Sequence, residues 1–127
     1  GDKAVALVFY PFTFTGVCEG ELCRIRDDYS AFESAGAKVL AVSCDSRHSQ
    51  KKWAEEMGYQ FPVLSDFWPH GAVAQAYDVF NDALGCAIRA TFVIDADGVV
   101  TDVIATDDLG TAREQERYTE ALAKLAA

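Results

Sequence analysis

Three compact apolar runs constrain the fold most. Lys3–Tyr10 (KAVALVFY), Lys38–Cys44 (KVLAVSC) and Ala90–Asp95 (ATFVID) are rich in Val and aromatic residues. Runs that are apolar at nearly every position cannot leave one face in water, so each reads as an interior strand covered on both faces. Pro11 stops the first run, since proline has no N–H to give a ladder. The Asp97-Gly98 pair lies between Thr91–Asp95 and Val99–Ala105 and predicts an antiparallel hairpin.

Between these runs the hydrophobic period changes. From Cys18 to Ala35, the positions Val17, Leu22, Ile25, Tyr29 and Phe32 fall on one helical face, with Gly36 as a stop, and predict one long amphipathic helix. Ser46–Met57, closed by Gly58, predicts a second. Thr111–Ala126 predicts a third, with Ala112, Tyr118, Leu122 and Leu125 inward, and Ala72–Tyr77 a short fourth. Strand–helix–strand–helix, then a hairpin and a terminal helix, is an α/β order. Right-handed crossovers then place helices on both faces of a central mixed sheet, a thioredoxin-like arrangement. The chain has 127 residues and no repeat, low-complexity tract or linker, so residues 1–127 are read as a single domain.

Composition excludes several classes of function. The longest nearly uninterrupted apolar run, Ala4–Phe14, falls short of the roughly 20 residues that cross a bilayer. The start, Gly1-Asp2-Lys3, leads into it without a clear cleavage site, so no signal peptide is read and a cytoplasmic location is expected. Eleven basic residues against twenty acidic ones give a net charge of −9, with the cations scattered, so neither nucleic acid nor an anionic membrane is an expected partner. Half of the residues are apolar, enough for a core without disulfide staples. The four cysteines, Cys18, Cys23, Cys44 and Cys86, therefore read as chemical rather than as a framework.

The stretch Tyr10–Arg26 (YPFTFTGVCEGELCRIR) carries the most chemistry. A strand ends at Pro11, a loop with Thr13, Thr15 and Gly16 follows, and Cys18 falls in the first turn of the long helix. Unpaired N–H groups and the macrodipole favour an anion there, so Cys18 is expected to carry a thiolate, with the Thr15 hydroxyl in reach of the same anion. Position alone leaves open a plainer reading, in which Cys18 is a small buried hydrophobe and Thr15 a helix cap.

Two separated motifs resemble the peroxiredoxins. Pro11-Phe12-Thr13-Phe14-Thr15-Gly16-Val17-Cys18 fits that family's pattern of Pro, three residues, Thr, two residues, Cys, and Ile88-Arg89-Ala90-Thr91-Phe92-Val93-Ile94-Asp95 its second signature. Glu21 and Phe61-Pro62-Val63-Leu64-Ser65-Asp66 also match. Ser65–Ala76 (SDFWPHGAVAQA) looks most like the bacterial, specifically actinobacterial, alkyl hydroperoxide reductase E subgroup. The resemblance covers essentially the whole chain, although the family's usual N-terminal segment before the first strand is missing.

The resemblance implies a thiol-dependent peroxidase that reduces hydrogen peroxide and organic hydroperoxides through a cysteine cycling via sulfenic acid. By it Cys18 is the peroxidatic residue. Arg89, Thr15 and the N–H groups of Val17 and Cys18 serve the developing charge, Pro11 shields the sulfur, and Glu21 positions the helix through an arginine. Cys23, five residues after Cys18, has the spacing of the resolving cysteine in the bacterioferritin-comigratory (Q-type) members. Five helical residues separate Cα atoms by roughly 8–9 Å, whereas a disulfide needs about 7 Å or less. The helix start must therefore unwind, and Gly20 between the two cysteines suits that.

The alternatives are resolution by an external thiol or by Cys86, with Cys44 and otherwise Cys86 as apolar fillers. The implied partners are a hydroperoxide, a reductant (thioredoxin, a mycoredoxin-like protein or a low-molecular-weight thiol) and a second copy in a homodimer. Exposed Phe12, Phe14 and Trp68 would suit that dimer or an apolar hydroperoxide. His48 and His70 are isolated, no ligand spacing points to zinc, and no cofactor or metal is expected. The lack of a Cys-x-x-Cys pair weighs against a thiol-disulfide oxidoreductase, and a binding or chaperone module with an inert Cys18 is the reading from another class.

Overall fold

The computed structural model describes residues 3–106, 113 and 115–126. In chain order the elements are β1 (Ala4–Phe9), α1 (Gly16–Asp27), α2 (Tyr29–Ser34), β2 (Ala37–Ser43), α3 (Arg47–Met57) and β3 (Val63–Ser65). Then follow α4 (Ala72–Ala76), β4 (Phe80–Asn81), β5 (Cys86–Ala87), β6 (Arg89–Ile94), β7 (Val100–Thr106) and α5 (Gln115–Ala126). Strands β3-β2-β1-β6-β7 form a five-stranded mixed sheet, and β4 with β5 makes a small separate ladder. β1 runs parallel to β2 and antiparallel to β6, so the C-terminal ends of β1 and β2 and the start of β6 meet at one end of the sheet.

The three apolar runs are the three interior strands, and side-chain alternation splits β1 between two cores. Ala6, Val8 and the following Tyr10 join Leu22, Ile25, Phe32, Trp53, Tyr118 and Leu122 under α1, α2, α3 and α5. Leu7 and Phe9 point the other way, onto Val42, Ala74, Val79 and Ala90, covered by α4 and the β4–β5 ladder. Helices thus flank both faces of a thioredoxin-like sheet. Among the described residues, no helix is long and apolar enough to cross a membrane.

One expectation fails. The single helix from Cys18 to Ala35 is two helices, broken at Asp28 (φ −106°, ψ 20°), which closes α1 and opens α2. Asp27 and Asp28 put adjacent carboxylates at the negative end of α1, where the macrodipole disfavours them, whereas an aspartate is favoured at the start of the next helix. The second helix keeps its forecast ends. Ser46 accepts the Ser49 N–H at 3.2 Å, and Gly58 closes α3 in the left-handed region (φ 68°). The hairpin also forms, with the Asp95 carboxylate accepting the N–H groups of Asp97 and Val99 at 3.0 Å. β3 and the β4–β5 ladder were not anticipated, being two or three residues per strand. Thr111 and Ala112, forecast to open the last helix, lie outside the described residues.

Candidate active site

The site is built where β1 ends. Tyr10 and Pro11 are buried, and the loop after them is pinned to the end of β2. Asp45 accepts the Thr13 N–H at 2.8 Å and the Ser43 hydroxyl at 2.7 Å, and the Tyr10 and Thr13 hydroxyls are 2.9 Å apart. Burial pushes the Tyr10 phenol well above its usual range, so it stays a neutral hydrogen-bonding group. Thr15 stands at the N-cap in extended conformation, and its carbonyl accepts the Glu19 N–H at 2.8 Å. Its hydroxyl donates to the Phe12 carbonyl at 2.6 Å rather than turning to the sulfur or capping the helix.

Cys18, the third residue of α1, is fully buried. Arg89, the first residue of β6, spans to it from across the sheet end, its Nη1 donating to Cys18 Sγ at 3.0 Å and to Glu21 Oε1 at 2.8 Å. Both are hydrogen bonds from a charged donor, the stronger kind. The N–H groups of Val17 and Cys18 lie in the first turn of α1, which has no intrahelical acceptors for them.

Glu21, expected to partner an arginine, partners two. Arg113 donates to it from Nε (2.9 Å), Nη2 (2.9 Å) and its backbone N–H (2.7 Å). Arg113 Nη1 also donates to the Phe9 carbonyl at 2.7 Å and to Thr91 Oγ1 at 3.1 Å, and Thr91 Oγ1 lies 2.6 Å from the Tyr118 hydroxyl. Burial alone would push the Glu21 carboxyl up. The hydrogen bonds and charge of Arg113, joined by the charge of Arg89, outweigh it and hold the carboxyl below the usual carboxylate range. The Glu21 carboxylate thus lies between two guanidiniums, one of which, Arg89, also reaches the Cys18 sulfur. Sequence reading missed Arg113: it fell inside the helix forecast over Thr111–Ala126 without being one of its inward apolar positions, whereas in the structure it stands before α5, which starts at Gln115.

The other cysteines are placed differently. Cys23 sits half-buried on the same helix, its Sγ 3.9 Å from the Tyr59 hydroxyl and not on the Arg89 side. Cys44 and Cys86 are buried. Burial, with the charge of Asp66 and Cys86, pushes the Cys44 thiol up to about 11, and burial with the charge of Cys18 raises Cys86. Trp68 is 82% exposed and, with Phe67, Ser46, Arg47, His48 and Ser65, lines a cavity of about 350 Å³ at the start of α3. His70 Nε2 lies 2.6 Å from the Gly85 carbonyl. The His70 ring packs edge-on to Phe67 and Phe80.

A buried cysteine in the first turn of the helix after the first strand of a thioredoxin-like sheet, with a guanidinium on its sulfur, defines a thiol-based redox enzyme. The AhpC/TSA family profile matches residues 1–103. The alkyl hydroperoxide reductase E of Mycobacterium tuberculosis is 47% identical over 127 residues, which cover 100% of this chain and 82% of that protein. Among solved structures, Enterococcus faecalis AhpC superposes with a TM-score of 0.87 at 31% identity over 96% of this chain and 74% of that one. The peroxidoxin BcpB of M. tuberculosis does so with a TM-score of 0.84 at 35% identity, over 98% and 79%. The chain belongs to the AhpC/TSA family, the peroxiredoxins, and is a thiol-dependent peroxidase.

Proposed function

We propose that Cys18 is the peroxidatic residue, a thiolate that attacks one oxygen of a hydroperoxide in line with the O–O bond. An S–O bond forms and the O–O bond breaks. Sulfur is oxidised to sulfenic acid, and the departing oxygen leaves with the electron pair, taking a proton to become water or an alcohol. The observation that carries this reading is the 3.0 Å contact from Arg89 to the buried Cys18 sulfur. A fixed guanidinium costs no reorganisation when charge moves from sulfur to oxygen, which is usually the largest catalytic contribution. The Val17 and Cys18 N–H groups add donors, and Pro11 keeps water from the sulfur. Thr15 contributes by rotating its hydroxyl from the Phe12 carbonyl onto the bound peroxide.

The sulfenic acid is then resolved by Cys23, whose thiol displaces the sulfenic oxygen as water and leaves a Cys18–Cys23 disulfide. Both residues lie on one continuous helix, so their Cα atoms are roughly 8–9 Å apart and α1 must unwind locally to bring them within about 7 Å. Exposed Gly20, which costs a helix about 1 kcal/mol against alanine, lies in the segment that melts. A second reading has an external thiol attack Cys18 instead. The contact of Cys23 with Tyr59, away from Arg89, favours it.

In either case the partners are a hydroperoxide and an external thiol reductant. A homodimer built on the exposed Phe12, Phe14 and Trp68 completes the proposal. Stopped-flow mixing of the reduced protein with peroxide tests the peroxidatic step. Cys18→Ser should abolish the reaction and Arg89→Ala should slow it about 10²–10³-fold, as for loss of one preorganised charge-stabilising donor. Undiminished consumption by Cys18→Ser would refute it.

A further inference from the structure

We propose that Tyr118 is a positioning residue for the Cys18 thiolate, acting through Thr91, Arg113, Glu21 and Arg89. The proposal rests on the reading of Cys18 as the peroxidatic residue. It starts from a hydroxyl that packing does not require. The Tyr118 ring sits edge-on to Phe32, with centroids 6.0 Å apart, in the core beneath α2 and α5, where phenylalanine would fit as well. Its hydroxyl is instead 2.6 Å from Thr91 Oγ1, in a pocket where Tyr118 is 5% and Thr91 0% exposed. A buried phenol is tolerated only with a partner, so the pair is a specified contact.

The same Thr91 oxygen accepts from Arg113 Nη1 at 3.1 Å. Arg113 precedes α5 and has no place in a ladder, so its guanidinium is held by the Phe9 carbonyl, by side-chain bonds to Glu21 and Thr91, and by wherever α5 docks. Tyr118, five residues later on α5, ties that helix to β6 at Thr91 and thereby fixes where Arg113 enters the core. From Arg113 the line runs through three hydrogen bonds to Glu21, then through Arg89 Nη1 to Cys18 Sγ. Every member is buried, so a shift at the hydroxyl end is not absorbed by water.

The test uses the full chain, reduced, and two readouts: the second-order rate constant for peroxide, and the pH midpoint of Cys18 alkylation by iodoacetamide, followed by peptide mapping without peroxide. The charged and titratable groups that bear on that midpoint are Arg89 from β6, Glu21 from α1, Arg113, Tyr10 from β1 and Cys86 from β5, all unchanged in the variants. Tyr118→Phe should slow the peroxide reaction about three- to tenfold, the scale of one hydrogen bond. It should also raise the alkylation midpoint by about half a pH unit. Thr91→Val should do the same, and the two together should add little, as for members of one network. Phe32→Leu, which unpacks the same ring without touching the hydroxyl, should lower the melting temperature and leave the midpoint in place.

A Tyr118→Phe midpoint coincident with the wild type overturns the proposal. So does an equal shift in Phe32→Leu, which would make the role one of packing. Because the midpoint is read without peroxide, failure here is separable from failure of the peroxidatic reading, which Cys18→Ser decides.

Discussion

Replacing Glu21 by glutamine keeps the shape of the side chain and removes the charge that binds two guanidiniums. Glu21 accepts one hydrogen bond from Arg89 and three from Arg113, and all three side chains are less than a tenth exposed. Removing one partner of a buried ionic cluster leaves uncompensated charge in a low-dielectric interior and typically costs about 3–5 kcal/mol. Since 1 kcal/mol moves the melting temperature by roughly 3–6 °C for a chain of this size, Glu21→Gln should melt about 10–30 °C below the wild type at neutral pH.

The pH dependence follows from the sign of the Glu21 shift. Its folded-state pKa is depressed, so its contribution is fully present above the unfolded value and is lost as pH falls through the folded one. The gap between wild type and Glu21→Gln should therefore be constant from pH 8 to about 6 and narrow below about 4.3, the ordinary glutamate value. Urea unfolding of both proteins, followed by circular dichroism at pH 7, 5 and 3.5, measures it, and titrations common to the two cancel in the difference. A loss below about 1 kcal/mol at pH 7, or one that is the same at pH 3.5, would refute the reasoning, because the cluster would then not depend on the Glu21 charge.

Two further outcomes follow from the cysteines. The Cys44 thiol, pushed up to about 11 chiefly by burial, stays protonated at pH 8 and should resist iodoacetamide in the folded protein, labelling only after denaturation. Peptide mapping after a short exposure checks this, and prompt Cys44 labelling would contradict it. If Cys23 resolves Cys18, one equivalent of peroxide should remove two hydrogens from the wild type, whereas Cys23→Ser should instead gain one oxygen. Intact-mass spectrometry reads both, and a Cys23→Ser protein that loses two hydrogens as readily as the wild type would assign the resolving role elsewhere.

The interior strands were legible because burial on both faces leaves an unbroken apolar run, which is a local signature. The same locality explains the error at Asp28. Apolar spacing continues smoothly from Ile25 to Phe32, and the interruption comes from adjacent carboxylates at a helix end, an effect that periodicity does not record. β3, β4 and β5 were illegible for the opposite reason, since two or three residues carry no period at all and pair only where the tertiary structure presents an edge.

At the site, the legible residues lie in two short stretches, Pro11–Glu21 and Ile88–Asp95. The sheet brings them together because β1 and β6 are antiparallel neighbours, so the exit of one strand faces the start of the other. Arg89 can therefore reach a sulfur 71 residues earlier without any distortion of the fold. Arg113 obeys no such rule. Its position depends on how α5 docks, 92 residues beyond Glu21, and Arg113 itself belongs to no strand or helix. On the proposed role of Cys18, a sulfur set by its own helix but tied through Arg89 and Glu21 to Arg113, just before the last helix, has a physical consequence. Peroxide reactivity should depend on the docking of α5 as well as on the loop that holds the thiol, so perturbations of that helix far from Cys18 should register at the sulfur before the sheet is disturbed.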